Sequence, residues 1–165
     1  MQLKIRQNGD KCLREKSQDL LEITSAERMI FEVMIETMYK AKGVGLAASQ
    51  VGINKRFFVA DIGDGPMVVI NPEILRTKGS ETIEEGCLSV EKETVAIKRP
   101  KEILVKYLDE NNKKVETWYR DLTARVFLHE IDHLDGKLII DYAKLEDNIE
   151  FQKQHRVQVN KKEQL

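Results

Sequence analysis

The stretch DLTARVFLHEIDHLDG, residues 121–136, is apolar around nearly its whole circumference when it is drawn as a helix. Such a helix belongs in the core of a protein rather than at its surface. Asp121 suits the N-cap and Gly136 suits the left-handed position after the last turn, so we expect a helix from Asp121 or Leu122 to Gly136. Two histidines and two acids on a buried helix are costly unless a partner satisfies them.

A second, amphipathic helix is predicted near residues 25–41, in the N-terminal part of the chain. Thr24 and Glu27 have the spacing of a capping box, and Gly43 is a suitable stop. Residues on one face recur at the helical spacing of three and four and are expected to pack in the core. These residues are Met29, Ile30, Val33, Met34, Thr37, Met38 and Ala41.

Short strand-like runs follow one another in the rest of the chain and do not alternate with helices. This order favours an α+β fold over a parallel α/β sheet. The last two runs flank the turn-rich DENN and are expected to form a hairpin. The runs are RFFVAD (56–61), MVVIN (67–71), VAIK (95–98), EILVKYL (102–108) and KVETWY (114–119).

The composition is that of an ordinary globular chain, with 165 residues of which 41% are hydrophobic and 33% charged. Residues 1–146 are expected to form one domain, and the polar residues 147–165 a tail or short helix. A net charge of −1 gives no electrostatic reason to expect nucleic acid or an anionic membrane as a partner. No secretory signal or long apolar run is present, so a cytoplasmic location is expected.

His129 and His133 are four residues apart, so both rings project from one face of the predicted helix. They can reach one metal ion, and Glu130 lies at its flank, where it could handle a proton of a bound water. A catalytic site of this kind needs a third ligand. Cys87 is the better candidate and could lie exposed at a strand edge, although an isolated cysteine is more often a small buried hydrophobe. A structural site closed by Cys12 as a fourth ligand remains an alternative.

Three segments of the sequence resemble the signature motifs of the peptide deformylase family in their usual order. They are GVGLAASQ (43–50), EGCLS (85–89) and HEIDHLDG (129–136), and the resemblance extends over about residues 5–142. Two positions depart from the family pattern. Leu128 stands where most members have Gln, and Glu91 stands where a proline is common.

The resemblance implies an enzyme that removes the formyl group from the N-terminal formyl-methionine of nascent polypeptides. It implies one divalent metal ion held by Cys87, His129 and His133, with Fe²⁺ expected and Zn²⁺, Ni²⁺ or Co²⁺ able to substitute. It also implies an α+β fold in which antiparallel sheets pack around the buried metal-binding helix, and the domain over residues 1–146 would then be catalytic. The enzyme is expected to be a monomer that contacts the ribosome only transiently. A catalytically weak deformylase-like peptide-binding protein and another metallopeptidase are the alternatives.

The resemblance also assigns roles to individual residues. Glu130 would move the proton, while the Gln50 side chain and the Leu88 backbone N–H would stabilise the oxyanion. The backbone at Val44, Gly45 and Gly86 is expected to bind the peptide, because glycine permits close approach. Three further residues share or border the helix face of His129 and could line a methionine pocket, although core packing is an equal alternative for the two apolar ones: Leu122, Arg125 and Val126.

Overall fold

A computed structural model of the chain describes residues 1–143 and 162–164. The fold is α+β, as predicted. The strands are β1 (Gly45–Ala47), β2 (Phe57–Asp61), β3 (Pro66–Lys78), β4 (Glu81–Cys87), β5 (Val90–Arg99), β6 (Glu102–Leu108), β7 (Lys114–Arg120) and β8 (Lys162–Gln164). One sheet is antiparallel and has the order β1-β2-β3-β6-β7, and a second sheet has the order β5-β4-β8.

The tail predicted over residues 147–165 lies outside the described residues except for β8. Here the chain is a short strand and not a helix, and it pairs in parallel with β4, so that Gly86 lies opposite Gln164. The neighbouring pair, β4 and β5, is antiparallel. The second sheet therefore combines one antiparallel and one parallel pair of strands.

Helix α2 (Asp121–Leu134) is the buried helix that the sequence predicts. Its Phe127 packs edge-on against Phe58, with ring centroids 5.1 Å apart, and also contacts Tyr107 and Tyr119. Burying one side chain of this size stabilises the fold by roughly 1.5–3 kcal/mol. This aromatic cluster fixes one side of α2 on the five-stranded sheet. The other side of the helix carries the histidines.

The predicted N-cap of α2 is wrong. Arg120 occupies the cap without a side-chain bond, while Asp121 is the first helical residue and has a φ of 54°. The backbone N–H of Asp121 donates to the carbonyl of Lys101 at 2.9 Å, so the turn out of β7 sets its conformation. Gly136 does take the predicted left-handed conformation, with a φ of 76°.

Helix α1 (Ser25–Lys40) has the predicted capping box, in which Thr24 and Glu27 bond each other's backbone and side chain. Its end differs from prediction, because Lys42, and not Gly43, has the left-handed backbone. The predicted inward face is correct for Met34, Thr37 and Met38 but wrong for Met29, which is 67% exposed. None of the helices formed by the described residues is long and apolar enough to span a membrane.

The hairpin predicted over residues 102–119 is confirmed by the antiparallel pairing of β6 with β7. Strand β4 was not predicted, although it carries Cys87 at its end. Together, β4 and α2 bring a cysteine and two histidines from distant parts of the chain to one place.

Candidate metal centre

Three ligand atoms converge where the end of β4 meets α2. The Nε2 atoms of His129 and His133 are 3.1 Å apart, and the Cys87 Sγ lies 3.3 Å from the latter. One ligand atom from each of the three residues lies within 4.8 Å of the others. Tetrahedral zinc, with bonds of about 2.0–2.3 Å, requires separations of this size between its ligands. The donor set therefore fits one metal ion.

Cys87 differs from the exposed thiol that the sequence suggested. Its side chain is 1% exposed and packs in a small apolar cluster. Among the described residues, Cys12 is not part of the ligand group. The site thus offers three protein ligands, which is the number that catalytic sites use to leave a position for water.

The carboxylate of Glu85 orients the first histidine. Nδ1 of His129 lies 2.9 Å from Glu85 Oε1, so a proton on Nδ1 leaves the Nε2 lone pair free for a metal. Arg99 donates to the same carboxylate at 2.6 and 3.0 Å. Burial acts to raise the pKa of Glu85, but the hydrogen bonds from His129 and Arg99 outweigh it and lower the pKa to about 2. Glu85 is therefore a permanent anion behind the ligands.

Asp132 and Tyr142 extend this network away from the ligands. Arg99 Nη1 donates to Asp132 Oδ2 at 2.9 Å, and the Tyr142 hydroxyl donates to the same oxygen at 2.6 Å. Arg99 is 4% exposed. A buried guanidinium between two carboxylates avoids the large cost of an unpaired interior charge.

Glu130 lies near the other ring nitrogen of His129, and its environment is unlike that of Glu85. Its side chain is buried, neither carboxylate oxygen has a hydrogen-bond partner, and Oε2 is 3.9 Å from His129 Nε2. Burial raises the pKa of Glu130 to about 7. A carboxylate with a pKa near neutrality can both accept and return a proton.

Gln50 presents its amide nitrogen to the site. It lies in a short 3₁₀ helix (Ala48–Val51), where its Oε1 accepts the backbone N–H of Ala47 at 2.9 Å. The amide nitrogen, Nε2, donates to Ser89 Oγ at 3.0 Å and lies 3.8 Å from Cys87 Sγ. The bond to Ala47 fixes which end of the amide faces the ligands.

The family model described as polypeptide deformylase matches residues 2–148. The chain belongs to the peptide deformylase family. It is 49% identical over 137 residues to a peptide deformylase of Clostridium botulinum, an alignment that covers 83% of this chain and 93% of that protein.

Solved structures agree with this assignment. The crystal structure of the Thermotoga maritima peptide deformylase matches with a TM-score of 0.84 and 48% identity, covering 86% of this chain and 97% of that one. A peptide deformylase from Acinetobacter baumannii with bound Met-Ala-Ser matches with a TM-score of 0.81 and 30% identity, covering 86% and 98%. The α+β fold of this chain is therefore that of the peptide deformylases.

The glycines of the first deformylase motif have a packing reason that the sequence did not reveal. A Cβ at Gly45 would meet Glu130 Oε2 at 2.6 Å, and a Cβ at Gly43 would meet Leu88 Cδ1 at 2.6 Å. Gly45 lies in β1, and the carbonyl of its neighbour Val44 accepts the N–H of Asp61 at 2.9 Å. The sequence suggested that glycine at position 45 lets a bound peptide come close to the backbone. In the structure, the absence of a Cβ at Gly45 also leaves room for the Glu130 side chain.

The residues predicted to line a methionine pocket occupy different environments. Leu122 is 40% exposed, whereas Val126 is fully buried in the core beside Phe127. The Arg125 guanidinium is buried and has three protein acceptors, in Glu85, Ile97 and Glu81. A contact between Arg125 and the peptide stays a prediction, and its observed partners all belong to the protein.

Sequence reasoning missed Glu85, Arg99 and Ser89 as parts of the deformylase site. A signal for Glu85 was present, because side chains two apart on a strand share a face, and Glu85 is two before Cys87. A carboxylate commonly accepts the second N–H of a metal-binding histidine. For Arg99 and Ser89 we find no comparable local signal.

Proposed function

We propose that this deformylase hydrolyses the formyl amide of N-formylmethionyl peptides and releases formate, with one metal ion held by Cys87, His129 and His133. The observation that carries the proposal is the position of Glu130. Its buried carboxylate has no hydrogen-bond partner and lies 3.9 Å from Nε2 of His129. A structural metal site would have no use for an unpaired carboxylate, whose burial is costly.

When it is bound, a divalent ion in such a site lowers the pKa of a water molecule and polarises a carbonyl. Glu130 accepts a proton from the attacking water and returns it to the nitrogen of the leaving amine. The Gln50 amide and the Leu88 backbone N–H donate to the oxyanion that develops on the formyl oxygen. The bond from Ala47 to Gln50 Oε1 supports this role, because it holds the donor end toward the site.

The peptide would lie between the backbone at Val44 and Gly45 and the backbone at Gly86. Beyond these contacts, Leu122 and Val126 are proposed as part of the wall for the methionine side chain. The exposure of Leu122 makes it accessible to a ligand, whereas Val126 is fully buried and could act only by supporting the wall.

Fe²⁺ is the proposed physiological ion, with Zn²⁺, Ni²⁺ or Co²⁺ able to replace it. A mixed set of sulfur and nitrogen ligands suits several of these ions, so the donor set supports the class of metal and not its identity. We also propose one catalytic domain over residues 1–146, a monomeric enzyme in the cytoplasm, and transient contact with the ribosome through the nascent chain.

The experiment compares Glu130→Ala with wild type for formate release from formyl-Met-Ala-Ser and for bound metal. We expect a loss of activity of at least about 10²-fold with the metal retained, since a general acid–base contributes this much. Glu116→Ala, at an exposed position of β7, is the matched control and should behave as wild type.

Three outcomes would contradict the proposal. A Glu130→Ala variant that keeps most of its rate would refute the role of this residue. Wild-type protein that binds the formylated peptide without releasing formate would favour a peptide-binding protein. Internal cleavage of unformylated peptides would instead favour a general metallopeptidase.

A further inference from the structure

Arg125 joins the two elements that supply the metal ligands. It lies on α2, one turn before His129, and its side chain is 4% exposed. Its Nη2 donates to the carbonyl of Glu81 at 2.7 Å, and its Nη1 donates to the carbonyl of Ile97 at 3.1 Å and to the Glu85 carboxylate. These acceptors lie on β4 and β5. One side chain of the helix therefore bonds both strands of the hairpin whose turn follows Cys87.

The Glu85 carboxylate bonds both a metal-binding histidine and two arginines. Oε1 faces His129 Nδ1 and accepts Arg99 Nη2, while Oε2 accepts Arg125 Nη1 and Arg99 Nε. Glu85 and Cys87 are two apart on β4, and both reach α2, Glu85 at His129 and Cys87 at His133, so a displacement of β4 would move the thiolate together with the carboxylate. The place of β4 relative to α2 thus sets the separation between the cysteine and the histidines.

We propose that Arg125 is a positioning residue of the metal centre, which ties β4 to α2 and holds Cys87 within reach of the ion that His129 and His133 bind. Its partners are protein atoms and not the peptide. The inference rests on the metal site of the proposed function but not on the reaction. It assigns to Arg125 a role different from the substrate contact expected from the sequence.

The charges around Glu85 explain why an arginine is needed at position 125. Arg99 and Arg125 balance Glu85 and Asp132, and all four groups are mostly buried. Loss of Arg125 would leave a buried excess of negative charge, which is costly in a low-dielectric interior. Lysine would keep the charge, but its compact ammonium lacks the fork that reaches carboxylate and carbonyl acceptors together.

The test uses Co²⁺-loaded full-length protein and two variants, Arg125→Leu and Arg125→Lys. Arg120→Leu is the matched control, because the Arg120 side chain is 76% exposed. Three quantities are measured: the rate of Co²⁺ loss to an excess of chelator, the visible spectrum with its thiolate-to-cobalt band, and kcat and KM for formyl-Met-Ala-Ser.

For Arg125→Leu we expect Co²⁺ loss about 10–100-fold faster than wild type, the effect typical of changes just behind metal ligands. The thiolate-to-cobalt band should shift, and kcat should fall while KM changes little. Arg125→Lys should recover part of the spectrum and of the metal retention. Arg120→Leu should match wild type in all three measurements.

Two results would overturn the inference. A raised KM with unchanged Co²⁺ loss and spectrum would mean that Arg125 contacts the peptide. A lower unfolding temperature with unchanged metal properties and kcat would mean that it only stabilises the fold. If Arg125→Leu does not fold, the spectrum of Arg125→Lys is used in its place. A thiolate-to-cobalt band identical to that of wild type would then overturn the inference. Failure of the proposed function would appear separately, as wild-type protein that binds Co²⁺ but releases no formate.

Discussion

Gly45→Ala is predicted to damage catalysis by displacing Glu130. The added Cβ would lie 2.6 Å from Oε2, 2.9 Å from Cδ and 3.0 Å from Cγ of Glu130. An ordinary contact begins at 3.4 Å, so the carboxylate must move by 3.4 − 2.6, about 0.8 Å. Glu130 is completely buried and cannot turn toward solvent. A misplacement of about 1 Å can cost about 100-fold in rate, and we expect kcat to fall by this order.

The assay is formate release from formyl-Met-Ala-Ser, measured with the bound metal quantified in the same samples. Gly63→Ala is the control for the substitution itself, since no atom lies within 4 Å of its Cβ position. That variant should lose some stability, because its φ of 112° is strained for alanine, but it should keep its rate.

A double variant separates this mechanism from a loss of peptide binding. Alanine at position 130 lacks the Cγ, Cδ and Oε2 atoms that the added methyl group would meet. If the clash causes the defect, Gly45→Ala should cost about twofold or less in the residual rate of a Glu130→Ala background, since the two changes share one contact. An undiminished loss in that background, or a defect confined to KM, would refute the reasoning.

Two further predictions concern a donor of the site and a helix cap. Gln50→Ala should lower kcat by about 10²–10³-fold with little change in KM, because it removes an oxyanion donor; steady-state kinetics that show a KM effect alone would contradict the role. Thr24→Ala should lower the free energy of unfolding by about 1 kcal/mol without affecting kcat, because it removes the cap of α1. Urea denaturation measures this loss, and no change in the midpoint would mean that the cap contributes nothing.

The parts of the fold that the sequence predicts well depend on local signals. Helix α2 is recognisable because its apolar positions leave no polar face, and the cap of α1 because Thr24 and Glu27 have a characteristic spacing. The hairpin of β6 and β7 is similarly local, with a turn-rich segment between two alternating strands. In each case the residues that determine the element are close in sequence.

The failures occur where distant residues decide the outcome. Strand β4 has a charged residue, Glu85, at a buried position, so its pattern does not resemble a half-buried strand. That charge is tolerated only because Arg99 and Arg125 arrive from β5 and α2. The protein acceptors of Arg125 likewise come from β4 and β5, which the sequence of α2 alone does not show. Asp121 was misjudged because a contact with Lys101, and not its own preference, sets its backbone.

At Gly136 the chain that follows α2 packs against the segment at Arg14. A Cβ there would lie 2.5 Å from the carbonyl oxygen of Arg14, and the Arg14 side chain bonds the Gly136 carbonyl and Asp141. The segment at Arg14 thus docks against residues that lie more than a hundred positions later in the sequence. A growing chain that ends just after Cys87 and both histidines still lacks the contact between Arg14 and Gly136.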